Sequence, residues 1–156
     1  MGGIFQLRVI MPKPISERFE ICKSILTCEK DPSLRVESLW VLADTLPEIT
    51  SNDPIREKIA ELLEFVLLKD QNAVVKHEAC YLIGENNLIS KIYCLQHAAI
   101  NDPSALVRHE SIEALGLMQE FGSEKIIRKA LEDSNPSVSQ TAEIVLKQLE
   151  RAKTIK

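Results

Sequence analysis

No run of lysine and arginine interleaved with aromatics occurs in this chain, and the formal net charge is −4 with a pI near 5.5. Binding to a phosphate backbone needs a dense cationic surface, so a nucleic-acid partner is not expected. No uninterrupted apolar stretch approaches the ~18–20 residues that span a bilayer, so no membrane segment is expected. The apolar residues near the N-terminus are broken by Gln6 and Arg8, which makes a poor secretory signal. A soluble cytoplasmic protein is the expectation. The cysteines number four, Cys22, Cys28, Cys80 and Cys94, and no two have Cys-x-x-Cys spacing. This disfavours a zinc ribbon. Each sits in an apolar helical pattern and is expected to be a buried, reduced thiol.

Other absences narrow the chemistry. The second histidine of a zincin helix is missing after His77-Glu78-Ala79-Cys80-Tyr81. No Glu-x-x-His pair of the ferritin-like kind occurs, nor a Gly-rich phosphate loop, nor a Gly-x-Ser-x-Gly elbow. Glycines number five, prolines seven and aromatics seven. Leu, Ile, Glu, Lys and Ala dominate instead, a balance that favours helix over sheet.

With 156 residues, 45% of them hydrophobic, the chain is long enough to bury a core and suggests one domain. Four segments pass from an acidic residue into an apolar run: Asp31-Pro32-Ser33, Asp70-Gln71-Asn72, Asp102-Pro103-Ser104 and Asp133-Ser134-Asn135-Pro136. Asp and Ser accept backbone N–H bonds at helix starts, and proline is tolerated in the first turn. The starts are 39, 32 and 31 residues apart, the period of a helical-hairpin repeat. Helices are predicted over 15–28, 34–45, 54–68, 73–85, 88–99, 104–119, 123–132 and 136–151. The third carries a clear stripe of Ile55, Ile59, Leu62, Leu63, Val66 and Leu67. Only Ile4 to Met11 alternates in a way that suggests a tail or a short strand. A single hairpin cannot bury its own apolar face, whereas stacked hairpins share a continuous core. The predicted fold is all-α: an α-solenoid of HEAT-like repeats, about eight helices over 15–151, with tails at 1–14 and 152–156. Gly84 and Gly116 hold the same place in two repeats. Glycine inside a helix costs ~1 kcal/mol against alanine, and a close approach of the neighbouring helix is a reason to accept that.

The tetrad Val75-Lys76-His77-Glu78 returns thirty-two residues later as Val107-Arg108-His109-Glu110. Two of the three histidines thus occupy equivalent places in tandem units, each followed by a carboxylate. The outer units differ: Val36-Glu37-Ser38 aligns with His77-Glu78-Ala79, and Gln140-Thr141 with His109-Glu110. Stacked repeats bring equivalent positions side by side, so the pattern predicts a divalent-metal site from His77, Glu78, His109 and Glu110. Imidazole and carboxylate together suit iron, manganese or zinc, and the lack of thiolate argues against a closed structural zinc site. A solvated, charged first turn is the plainer alternative. His97 is read as structural and Trp40 as packing.

Lys76-His77-Glu78 with Leu82-Ile83-Gly84, and Val107-Arg108-His109-Glu110 with Glu113-Ala114-Leu115-Gly116, resemble the His-Glu repeats of deoxyhypusine hydroxylase. Val138-Ser139-Gln140-Thr141 with Leu149-Glu150 resembles the end of one half of that enzyme, so the resemblance covers about residues 16–151. It implies a di-iron monooxygenase that uses O2 as co-substrate and hydroxylates the deoxyhypusine side chain of a translation factor. By position, His77 and His109 would be iron-binding imidazoles, with Glu78 and Glu110 as matching carboxylates. The family's enzymes carry two such halves and four His-Glu motifs, whereas this chain has one half and two motifs. A symmetric homodimer holding two iron ions would restore the set. The alternative from another class is a non-enzymatic HEAT scaffold that binds a protein partner.

Overall fold

The computed structural model describes residues 6–155. Among these residues there are eight α-helices and no strand. They are α1 (Ile15–Cys28), α2 (Pro32–Thr45), α3 (Pro54–Lys69), α4 (Ala73–Glu85), α5 (Ile92–Asn101), α6 (Ala105–Leu117), α7 (Glu124–Lys129) and α8 (Pro136–Thr154). The all-α expectation therefore holds, with most boundaries within two or three residues. The predicted helix over 88–99 is split into a 3-10 turn, Ile89–Lys91, and α5; that over 123–132 into α7 and a 3-10 turn, Ala130–Glu132. The alternating segment from Ile4 forms no strand where it is described: Gln6–Ile10 is a 3-10 helix lying on α2. Ile4 and Phe5 lie outside the described residues.

The chain divides into two compact units, Met1–Leu82 and Ile83–Lys156. In the first, α1 packs on α2 and on α3. Its core holds Phe19, Leu39, Leu42, Ile59, Leu63 and Val66. The predicted stripe of α3 is buried from Ile59 to Leu67, while Ile55, in the first turn, is only half-buried. In the second unit α5 packs on α6, α6 on α8, and α7 on both α5 and α8. Leu95, Ile112, Leu115, Ile127 and Leu149 are fully buried there.

Of the four acidic helix starts, only Asp31 is itself the N-cap, accepting from the Ser33 amide. Asp70, Asp102 and Asp133 stand two residues earlier, each accepting the amide two positions on: Asn72, Ser104 and Asn135. Asn72 and Asn135 then cap α4 and α8. Asp70 and Asp133 each also bind an arginine. Arg35 forks onto Asp70 at 2.8 and 3.0 Å, and Arg108 onto Asp133 at 2.7 and 2.9 Å. Arg35 also donates to the carbonyls of Glu29 and Lys30, and Arg108 to those of Asp102 and Pro103. Each guanidinium thereby ties the loop before its own helix to the loop before the next repeat. The hydrogen bond from Arg108 holds the Asp133 carboxyl below its ordinary range, and Asp133 in turn raises Arg108.

A Cβ built on Gly84 would stand 2.8 Å from Cβ and 2.9 Å from Cα of Ala114, on α6. One built on Gly116 would stand 2.8 Å from Cγ1 of Val145, on α8. Both glycines therefore mark the close helix approach their repeat position suggested. The expectation of four buried thiols holds for Cys22, Cys80 and Cys94, but Cys28 is exposed because α1 ends there. Burial pushes the Cys22 thiol up to about 12.

Candidate metal centre

Both His-Glu pairs are the fifth and sixth residues of their helices, in the second turn, and the two helix starts are built alike. On α4 the cap at Asn72 leads to His77 and Glu78, and on α6 the turn at Asp102 leads to His109 and Glu110. The first pair belongs to the first unit and the second pair to the second unit.

On α6, the His109 ring is partly buried, its side chain 26% exposed, and Glu110 is buried. His109 Nδ1 is 2.7 Å from Thr141 Oγ1 on α8. Its Nε2 is 3.6 Å from Oε1 of Glu113, which lies one helical turn further on and is half exposed. Ligand atoms of His109, Glu110 and Glu113 all lie within 4.8 Å of one another. One imidazole and two carboxylates so placed can converge on a single ion, and the donor types suit iron, manganese or zinc. The residues present therefore fit a divalent metal.

On α4, His77 Nδ1 is 3.6 Å from Glu78 Oε1, and both side chains are about a quarter exposed, at 27% and 21%. Trp40 Nε1 donates to Glu78 Oε2 at 3.3 Å. Trp40 is thus not a core packing residue: it is 44% exposed, with its indole N–H directed at a predicted ligand. His97 is exposed on α5, where its ring meets the Asn101 amide.

Three residues meet the predicted ligands beyond those expected from the sequence: Trp40 at Glu78 in the first unit, and Glu113 and Thr141 at His109 in the second. Glu113 was findable, because position i+4 from a helical histidine faces the same side. The equivalent position holds Trp40, Tyr81 and Ile144 in the other repeats, so the two His-Glu copies are not chemically identical. Trp40 and Thr141 carry no local signal, since each meets its partner across a gap of 38 or 32 residues.

No protein-family model matches this chain. Curated relatives and a solved structure do. The chain is 35% identical over 141 residues to the deoxyhypusine hydroxylase of Neurospora crassa, a match covering 86% of this chain and 44% of that protein. It is 30% identical over 138 residues to the one from Neosartorya fischeri, covering 86% and 40%. To that of Saccharomyces cerevisiae it is 26% identical over 117 residues, covering 74% and 36%. The structure of human deoxyhypusine hydroxylase in complex with glycerol superposes with a TM-score of 0.69 at 21% identity, covering 85% of this chain and 43% of that one. That likeness concerns the fold. The chain spans less than half the length of each of these relatives. In sequence and in fold, this chain is a deoxyhypusine hydroxylase-like protein built of HEAT-type helical repeats.

Proposed function

We propose that this chain is an iron-dependent hydroxylase of the deoxyhypusine hydroxylase kind, with His77, Glu78, His109 and Glu110 as its metal ligands and Glu113 as an added carboxylate. The observation that carries the proposal is the group of His109, Glu110 and Glu113, whose ligand atoms lie within 4.8 Å of one another at one of the repeated His-Glu pairs. The resemblance extends the reading to His77 and Glu78. Iron, when bound, supplies redox chemistry with O2 that no side chain here can perform. The protein's part is to hold and tune. The imidazoles give neutral nitrogen donors, and the carboxylates offset the charge of the cation. The Trp40 indole restrains Glu78, the kind of supporting contact that orients a ligand.

We propose further that a second copy of the chain supplies a second ligand set, giving a homodimer with two iron ions. The substrate is proposed to be a protein side chain ending in an amine, deoxyhypusine on a translation factor being the case that the relatives' name suggests. The acidic surface, with net charge −4, suits a cationic side chain. Cytoplasmic residence is part of the same proposal. Among the described residues, no helix is long and apolar enough to cross a membrane.

Anaerobic loading with Fe(II), followed by metal counting, tests the reading. The expected stoichiometry is about one iron per chain, as two carboxylate-rich half-sites in a dimer would hold. His77→Ala and His109→Ala should each abolish loading with helicity retained, because both side chains are partly exposed and alanine is a good helix former. His97→Ala should load normally. Wild-type protein that takes up no iron would end the hydroxylase reading and leave a protein-binding scaffold.

A further inference from the structure

The imidazole of His109 has two nitrogens, and only one can offer a lone pair to a metal while the ring is neutral. Which one is decided by what the other nitrogen meets. Nδ1 lies 2.7 Å from the hydroxyl oxygen of Thr141. That hydroxyl has a single proton, and its oxygen also lies 2.8 Å from the backbone carbonyl of Ser137, one turn back on α8. A carbonyl can only accept. The Thr141 proton is therefore committed to Ser137, and the Thr141 oxygen is left to accept from Nδ1–H. The reverse assignment would turn the Thr141 proton to Nδ1 and set two oxygen lone pairs against each other at 2.8 Å. It would also place the ring proton on Nε2, 3.6 Å from Glu113 Oε1 and too far for a good hydrogen bond.

We propose that Thr141 is a positioning residue for His109: it holds the ring in the Nδ1–H tautomer and so presents Nε2, on the Glu113 side, as the metal-binding nitrogen. The hydroxyl is well placed for this task. Thr141 is 7% exposed, so water competes little for it, and it sits on α8 rather than on the helix that bears the ligands. Metal-bound histidines are oriented in this way by a partner on their second nitrogen, and losing that partner commonly costs 10–100-fold in metal affinity. The aligned position in the His-Glu repeats is occupied by Glu78 and Glu110, so the last repeat supplies a hydroxyl where the inner ones supply carboxylates.

The proposal rests on the iron-binding reading only for its consequence; the tautomer itself can be read without metal. Nitrogen-15 NMR of the metal-free protein at pH 8, above the ordinary imidazole value of about 6.5, reports which ring nitrogen carries the proton. Wild type should show His109 protonated at Nδ1. Thr141→Val should lose that preference and bind Fe(II), or Co(II) as an optical probe, about 10–100-fold more weakly. Thr141→Ser, which keeps the hydroxyl, should restore both. Circular dichroism on all three separates these effects from unfolding, and the serine variant keeps the test valid if the valine variant folds poorly. A wild-type ring protonated at Nε2, or a folded valine variant with wild-type tautomer and affinity, would overturn the role of Thr141 and leave the iron reading intact. An Nδ1–H ring in a wild-type protein that binds neither metal would uphold the hold on the ring and overturn the iron reading instead.

Discussion

Side chains next to each other in the repeated tetrad divide the work between scaffold and site. Arg108 clasps Asp133 and two backbone carbonyls, whereas His109 and Glu110 offer ligand atoms. The clasp is well shielded, with side-chain exposures of 14% and 12%. A bidentate charge-assisted pair of this kind should matter to stability, so Asp133→Asn is expected to cost about 1–3 kcal/mol at pH 7. The pH dependence has a definite sign. The Asp133 carboxyl is held below its ordinary value of 3.8 in the folded chain, so folding favours its ionised form. The stabilisation is complete above the unfolded value and is lost as pH falls through the lower, folded one. Urea unfolding of wild type and Asp133→Asn should therefore show a constant gap from neutral pH down to about 4, then convergence. A gap that persisted unchanged well below that range would mean the carboxyl is not what the arginine stabilises.

At the scale of the helix, the close contacts at Gly84 and Gly116 set how near neighbouring helices lie. The two are not equally forgiving. A methyl group on Gly84 would press on backbone, the Ala114 Cα at 2.9 Å, which cannot swing aside. On Gly116 it would meet the Cγ atoms of Val145, at the end of a side chain. Gly84→Ala should therefore destabilise by about 1–3 kcal/mol through overpacking, even after the ~1 kcal/mol that alanine gains in helix propensity. Gly116→Ala should cost less. Thermal unfolding of the two variants decides the order, and Gly84→Ala matching or exceeding wild type would show that the helices can part freely. Both glycines were visible in the sequence as a repeated exception to helix preference. Their partners were not, because the atom opposite a glycine belongs to a helix some thirty residues away.

For the molecule as a whole, the proposed assembly has a direct test. Iron-loaded protein should sediment at twice the 17.6 kDa chain mass, and Fe(II) uptake should fall on dilution below the dimer's dissociation constant. A monomer that retains its iron on dilution would point to a site complete within one chain. The helices, their order and the His-Glu register were all legible in the sequence, because helical periodicity, turn chemistry and tandem duplication are local or strictly periodic signals. The capping pattern was half legible: the acidic starts are real, yet Asp70, Asp102 and Asp133 stand two residues outside the cap. Their sequence context resembles that of Asp31, and what distinguishes Asp70 and Asp133 is an arginine reaching them from the preceding repeat. The exposure of Trp40 and Cys28 was not legible either, since an apolar pattern gives the side of a helix but not where its neighbour stops covering it. Tertiary structure alone decided that the indole of Trp40 meets Glu78 and that the hydroxyl of Thr141 meets His109. The reason is physical: a helix's own sequence sets which face a side chain occupies, but the partner on that face is chosen by the packing of a different helix.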